Sequence, residues 1–231
     1  MESEPLKAAT VWLNTLLLAA LAVPSAAQEI PRVDPRNPGF REMPALPAAQ
    51  ADSVRAVLLG YVAAVRNRDG AAATRALSRA TRAYNARMAE LARTAPEAQV
   101  RGLSLMDRLS VLMIRHRIAP GVLRTLPSDS AFAYTVNEGW VAKAMTSDPL
   151  PATMEVYGDG DSAIVPDRGV TMHLVREEGT WRWDMTPILQ SASATFAASI
   201  PRGMKEDDFI LLVLQYSNGQ IPAPTIWKPV P

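Results

Sequence analysis

The chain has 231 residues, of which 48% are hydrophobic and 20% are charged, and its formal net charge is +1. These values are ordinary for a globular protein, and the near-neutral charge gives no electrostatic footprint for binding nucleic acid. Because the chain contains no cysteine, disulfides, thiolate metal sites, cysteine nucleophiles and a lipid-modified cysteine are excluded.

The first segment has the pattern of a signal peptide. An apolar stretch covers residues 16–23, and the small residues Ser25 and Ala27 match the sites at which signal peptidase cleaves. The stretch is shorter than the about 20 residues that a spanning helix needs. We therefore expect residues 1–27 to be removed, leaving Gln28 as the first residue of a periplasmic or secreted protein with no membrane span. The weakly basic start leaves an uncleaved anchor or a buried cytosolic helix as alternatives.

A spacer and then a helical region are expected next. Residues 28–50 contain five prolines and no lasting apolar period, which is typical of a disordered, extended tether. From residue 51 the apolar residues follow helical spacing, so we predict a first helix that is capped by Asp52 or Ser53 and ends at residues 69–70. Further helices are predicted over residues 71–77, 78–93, 104–116, 120–126 and 129–138, with Ala80, Tyr84, Met88 and Leu91 on the buried face of the second of these.

The period of the apolar pattern changes after residue 150. Segments rich in β-formers cover residues 153–157, 162–165, 170–177 and 180–185, and the short turns between them predict an antiparallel meander. Two more helices are predicted over residues 187–199 and 205–217, the second with Phe209, Ile210, Val213 and Leu214 inward. Helices followed by a meander predict one α+β domain over residues 51–231, with helices packed on one sheet face.

Three segments carry a resemblance to a known family. They are Arg-Asn-Arg-Asp-Gly at residues 66–70, Ala-Ile-Val at residues 163–165 after an Asp-Gly turn, and Glu-Glu-Gly-Thr-Trp-Arg-Trp-Asp at residues 177–184. On these motifs, residues 51–185 resemble the NTF2-like superfamily, which includes SnoaL-like cyclases and ketosteroid isomerases. The resemblance implies a cone-shaped α+β roll with an extra C-terminal helix. Because these motifs are structural and not catalytic, the resemblance implies a fold rather than a function.

The resemblance also implies a pocket between the first helix and the sheet. Tyr61 falls where isomerases of the superfamily place an oxyanion-hole tyrosine, and Asp184 or His173 would have to act as the base. The alternatives are a core tyrosine, a strand-end aspartate and a half-exposed strand histidine. We therefore assign no catalytic residue. We favour a non-catalytic domain, with a SnoaL-like or ketosteroid-isomerase-like enzyme as the alternative.

The expected function is binding of a small apolar ligand or of a protein partner such as an envelope protein. Tyr61, Trp140, His173 and Trp183 are the candidate ligand-binding residues. A homodimer through the open sheet face is also left open. The two histidines lack ligand spacing, and the turn at residues 159–161 lacks the closing glutamate of a calcium loop, so neither a metal nor another cofactor is expected.

A row of arginines marks the second helical segment. Its members are Arg75, Arg79, Arg82, Arg87 and Arg93. Such a row is typical of a solvated helix face, and the alternative is a surface for an acidic partner or for membrane headgroups.

Overall fold

The computed structural model describes residues 43–144, 154–167 and 170–230. The predicted signal peptide and most of the predicted spacer lie outside these residues. The helices before the sheet are α1 (Ala48–Arg66), α2 (Gly70–Ala76), α3 (Arg79–Thr94), α4 (Glu97–Arg101), α5 (Leu105–Arg117), α6 (Pro120–Thr125), α7 (Ala131–Asn137) and α8 (Trp140–Ala144). The strands are β1 (Tyr157–Gly158), β2 (Ser162–Asp167), β3 (Val170–Glu177) and β4 (Thr180–Asp184), followed by α9 (Thr186–Ala198), α10 (Glu206–Asn218) and a 3-10 turn (Pro224–Trp227). This order confirms the α+β class.

The four strands form one open antiparallel sheet in the order β1-β2-β3-β4. The register places Ala163 beside Leu174 and Leu174 beside Trp183. Because successive side chains of a strand point to opposite faces, this row shares one face, and all three of its members are buried in a cluster with Leu58 and Tyr61 of α1. The predicted meander is therefore confirmed, and α1 covers its inner face.

The folded domain begins before the predicted boundary at residue 51. Ala45 forms a bridge with Tyr157, and the amide of Leu46 donates to the carbonyl of Val156 at 3.0 Å. Helix α1 starts at Ala48, with Pro47 as its N-cap residue, rather than at a cap formed by residues 52–53. Proline fits the start of a helix because its missing N–H would have no partner there. A proline that suggested a tether is thus the first residue of the helical region.

The motif at residues 66–70 makes a close helix–helix contact. Asp69 accepts a hydrogen bond from the amide of Ala72 and so caps α2. The amide of Gly70 donates to Asn137 Oδ1 at 2.8 Å, and a Cβ at Gly70 would stand 2.2 Å from the carbonyl oxygen of Ala133. Only glycine permits this approach of α2 to the backbone of α7.

A second apolar cluster lies among the helices, apart from the sheet. It contains residues of α3, α5 and α10, including the four residues predicted to face inward on α10. On α3 the side chain of Ala80 is exposed, contrary to the prediction, whereas Thr81, Met88, Ala89 and Ala92 are buried. The buried stripe is displaced because α3 packs against α5 along its second half and against the end of β4 at its start.

The C-terminal residues fold back onto the helical cluster. The guanidinium of Arg101 lies 4.1 Å from the ring centroid of Trp227, and the amide of Val230 donates to the carbonyl of Arg93 at 3.1 Å. Asp207, in the acidic first turn of α10, pairs with Arg101 and with Arg108. These contacts hold the predicted extended tail and α10 against α3–α5.

Candidate functional site

Tyr61 and Trp183 pack against each other in the core between α1 and the sheet. Their ring centroids are 4.7 Å apart at an interplanar angle of 88°, and the two residues are 0% and 1% exposed. Among the described residues, neither the Tyr61 hydroxyl nor the Trp183 indole nitrogen has a hydrogen-bond partner. Burial raises the pKa of the Tyr61 phenol. A hydroxyl without accessible surface leaves no space for a substrate beside it.

His173 and Asp184 lie on the opposite face of the sheet from Tyr61. They are partners across β3 and β4, and both are half-buried. Burial lowers the pKa of His173, and the negative charge of Asp184 acts in the opposite direction. The structure thus brings His173 and Asp184 together but separates both from Tyr61 by the thickness of the sheet.

One oxygen of Asp184 joins the sheet to α3. Asp184 Oδ1 accepts hydrogen bonds from Ser78 Oγ at 3.2 Å, Thr81 Oγ1 at 3.1 Å and Thr186 Oγ1 at 2.8 Å. Ser78 is also the N-cap of α3, because its hydroxyl accepts from the amide of Thr81. The carboxylate therefore connects the ends of three elements, and its known contacts are structural.

A cavity of about 120 Å³ lies elsewhere, between α3, α5, α7 and α8. Its apolar wall is formed by Met88, Met106, Leu109, Met113, Ile114 and Phe132. The α5 residues that line it recur at intervals of three and four, so they share one face of that helix. Small side chains at Ser110 and Ala131 leave space that larger residues would fill.

Tyr84 and Ser110 form the neutral polar part of the cavity wall. The Tyr84 hydroxyl donates to Asp107 Oδ1 at 3.0 Å and lies 3.3 Å from Ser110 Oγ, which donates to the carbonyl of Met106. Burial, with a smaller contribution from Asp107, raises the pKa of Tyr84 to about 12. Tyr84 therefore stays neutral at ordinary pH.

Arg117 supplies positive charge to the wall, on the same face of α5 and about two turns beyond Ser110. Its guanidinium carbon is 5.9 Å from the ring centroid of Trp140, and its Nη2 donates to the carbonyl of Ser217 at 3.0 Å. Its Nε is buried and, within the described part of the chain, has no partner. Burial lowers the pKa of Arg117. Trp140 is itself held by an edge contact with Tyr134 at a centroid distance of 5.8 Å.

The structure does not bring the four candidate ligand-binding residues to one site. Trp140 lines the cavity, whereas Tyr61 and Trp183 are in the core and His173 is on the outer sheet face. Methionines are typical of adaptable binding surfaces, because their flexible side chains tolerate irregular packing. Sequence analysis placed Met88 on a buried helix face and did not interpret the methionines as part of a binding surface.

The row of arginines is partly paired within the chain. Arg79 Nη2 lies 3.0 Å from Glu178 Oε1, Arg82 lies 3.9 Å from Glu177, and Arg93 pairs with Glu90. Among the described residues, no group of three histidine, aspartate or glutamate side chains is placed to hold a metal ion. Binding of an acidic partner by these arginines and formation of a homodimer through the open sheet face both stay predictions.

Comparisons with protein-family models, with curated proteins and with solved structures found no match to this chain. Within residues 43–144, 154–167 and 170–230, no helix combines the length and the apolar character that crossing a membrane requires. A function can therefore be inferred from the geometry of the described residues only.

Proposed function

We propose that this protein is a non-catalytic binding domain that holds a small, mainly apolar molecule in the cavity between α3 and α5. The observation that carries the proposal is the cavity itself, with its methionine-rich wall and few polar groups. Binding pockets are typically apolar with a small number of placed polar groups. The separation of Tyr61 from His173 and Asp184 favours this function over the isomerase alternative, which needs an acid and a base at one point.

The proposed ligand is small because the cavity is small. An engineered cavity of about 150 Å³ in another protein holds benzene, so a cavity of about 120 Å³ suits a ligand portion of about five heavy atoms. The three methionines of the wall can change rotamer to fit such a molecule.

Benzene binding to the full chain tests this function. With ¹³C-methyl methionine, the signals of Met88, Met106 and Met113 should shift in a saturable way, because their methyl groups lie at the ligand. The exposed Met204 and the sheet-core Met172 are internal controls. The variant Ala131→Leu should weaken binding at least tenfold by filling the cavity, whereas Ala83→Leu, on the exposed face of α3, should not. If none of the three cavity methionines shows a saturable shift, the proposal is wrong.

We also propose that the sheet and its covering helices form an NTF2-like roll. The packing of α1 on the inner face of an antiparallel meander supports it, as does the burial of Trp181 and Trp183 from the closing strand. In this proposal the usual pocket between helix and sheet is closed by Tyr61 and Trp183, and the binding site has moved to the added helices. An experimental structure with a flat or differently ordered sheet would contradict it.

We propose, finally, that the domain is exported. The apolar stretch and the small residues before Gln28 support export. Expression of the full chain in a bacterium with a periplasm should yield a mature protein whose mass corresponds to an N-terminus at Gln28. The variant Ala27→Arg should retain the leader, because signal peptidase requires a small residue at that position. An uncleaved wild-type chain in the cytosolic fraction would contradict the proposal.

A further inference from the structure

We propose that the ligand of this cavity is amphipathic, with a carboxylate that binds Arg117 and a short apolar chain that fills the methionine-lined interior. This inference rests on the proposed binding function and adds the chemical class of the ligand. The carrying observation is that Arg117 presents a partly buried cation to a cavity whose other lining residues are uncharged and mainly apolar.

The charge of Arg117 is not compensated by a carboxylate within the described part of the chain. Its Nη2 donates to the neutral carbonyl of Ser217, and its Nε is buried and has no partner among the described residues. Burying an ion without a counter-ion is costly, and buried charges in proteins are normally paired. A bound anion would remove this cost, so the free site has a physical preference for a negative ligand.

Two other arginines of α5 have partners within the chain for their charge or their N–H donors. Arg108 pairs with Asp207 at 2.7 Å and with Glu206 at 3.3 Å. Arg115 donates to four backbone carbonyls, which occupy its donors. In the ranges that the structure describes, Arg117 has neither arrangement, although it is on the same helix and carries the same five donors.

The geometry suits a carboxylate in particular. A guanidinium is a planar fork whose paired N–H groups match the two oxygens of a carboxylate. The guanidinium carbon lies over the ring of Trp140, 5.9 Å from its centroid. A compact ammonium group could not give the same two-point contact.

A negative charge near Tyr84 determines which end of the ligand lies at which end of the cavity. Asp107 Oδ1 accepts a hydrogen bond from the Tyr84 hydroxyl, so a negatively charged carboxylate lies near that end of the cavity. An anion is therefore disfavoured beside Tyr84 and favoured beside Arg117, which lies about 10 Å further along α5 than Ser110. The apolar chain would point away from Arg117 toward Met106 and Leu109.

The test compares pentanoate with pentanamide, which has the same shape and no charge. Both are titrated into the full chain with ¹³C-methyl methionine as the reporter, at constant ionic strength. We expect pentanoate to bind at least tenfold more tightly than pentanamide, and this preference to weaken as salt is added. Arg117→Met should abolish the preference, and Arg117→Lys should retain part of it, because the charge remains without the fork. Arg124→Met, on the exposed side of α6, should leave it unchanged.

Equal affinities of wild-type protein for pentanoate and pentanamide would overturn the inference, and this comparison requires no variant to fold. If the affinities are equal but benzene binds the cavity, the binding function stands and only the anionic head is wrong. If neither pentanoate nor benzene shifts the cavity methionines, both the function and the inference fail. A preference that survives in Arg117→Met would also overturn the inference, since the charge would then act from another residue.

Discussion

At the scale of single residues, Asp184 shows how one side chain can connect three elements. Its Oδ1 accepts hydrogen bonds from residues at the start of α3 and at the start of α9. The sequence left open whether this carboxylate lay at a strand end or in a pocket. The contacts explain why a carboxylate is needed here, since an ionised oxygen can accept several hydrogen bonds at once.

We expect Asp184→Ala to destabilise the protein by about 1–3 kcal/mol, because the hydroxyls of Ser78 and Thr81 lose their shared acceptor. Asp184→Asn keeps an acceptor oxygen and should cost less. Urea unfolding at constant m-value measures both effects. The exposed Asp129→Ala is the matched control. If Asp184→Ala were no less stable than this control, the carboxylate would not link the sheet to α3.

His173 should make the stability of the domain sensitive to acid. Burial lowers its pKa from the ordinary value of 6.5, so between the two pKa values the unfolded chain binds more protons than the folded one. Stability is therefore full above about pH 6.5 and decreases as the pH falls toward the folded-state pKa. The nearby charge of Asp184 reduces this effect but does not reverse it.

The variant His173→Gln should remove this part of the pH dependence. Between about pH 7 and pH 5, the free energy of unfolding should decrease more for the wild type than for the variant. Urea titrations at a series of pH values give the comparison, and an NMR titration of the histidine ring gives the folded-state pKa directly. Parallel stability curves, or a histidine that titrates above 6.5, would show that burial does not control this group.

At the residue scale, the sequence predicts which side chains are buried. It does not predict which contacts the polar side chains make. Apolar periodicity places Leu58 and Tyr61 on the inward stripe of the first helix, and both are buried. The same periodicity cannot say that the Tyr61 hydroxyl lies without a partner or that Asp184 meets Ser78. Those contacts join residues about a hundred positions apart, and local sequence carries no information about such distances.

At the scale of elements, Arg115 joins α5 to α3 and to the C-terminal turn. Its guanidinium donates to the carbonyls of Leu91, Ala92, Ala95 and Ile226 at 3.2, 2.7, 2.6 and 3.2 Å. Three of these carbonyls lie at or beyond the C-terminal end of α3, where helical carbonyls lack intrahelical partners. That of Leu91 also accepts from the amide of Ala95 at 2.9 Å. Burial lowers the pKa of Arg115 to about 10. Because this value is still well above 7, Arg115 is charged at neutral pH.

Replacing Arg115 by methionine should lower the free energy of unfolding by about 2–3 kcal/mol, since several charge-assisted hydrogen bonds are lost. Amide hydrogen exchange should accelerate most at Ile226 and Lys228, in the turn that Arg115 holds. Arg115→Lys should recover part of the loss, and the exposed Arg124→Met should cost little. Unchanged exchange in the C-terminal turn would mean that Trp227 and Val230 hold it without Arg115.

Elements with strong local signals were predictable, and those defined by long-range pairing were not. The serine caps at residues 78 and 104 and the apolar face of α10 marked three helices closely. The expected strand at residues 153–157 is reduced to Tyr157–Gly158 where the structure describes it. The edge of β1 that faces away from β2 pairs with residues 44–46, since Ala45 forms a bridge with Tyr157 and the amide of Gly158 donates to the carbonyl of Pro44. Residues 44–46 were predicted to belong to the disordered spacer.

At the scale of the whole molecule, two apolar clusters share their supporting helices. Helix α3 begins at β4 through Ser78 and continues into the helical cluster through Met88. Helix α9 does the same, since Ile188 packs in the sheet cluster and Phe196 in the helical one, 5.1 Å from Phe209 between ring centroids. A helix common to both clusters transmits the loss of one to the other.

The cavity arises at this scale, which is why the sequence did not indicate its position. Periodicity separates buried from exposed positions, but it does not separate filled space from empty space. The cavity depends on how α3, α5, α7 and α8 meet, and on two small side chains, Ser110 and Ala131, that come together from different helices. Only the assembled packing shows that their volumes leave a gap.

We expect the two clusters to unfold together. Leu58→Ala in the sheet cluster and Leu112→Ala in the helical cluster should each cost about 2–5 kcal/mol, because both side chains are fully buried. Each variant should raise the slowest amide exchange rates of α1 and α5 alike, since α3 and α9 couple the clusters. Leu59→Ala, at a side chain that is 41% exposed, should change neither. If Leu112→Ala accelerated exchange only in the helices outside the sheet cluster, the chain would contain two separable folding units, and a cavity between α3 and α5 could open without unfolding the sheet.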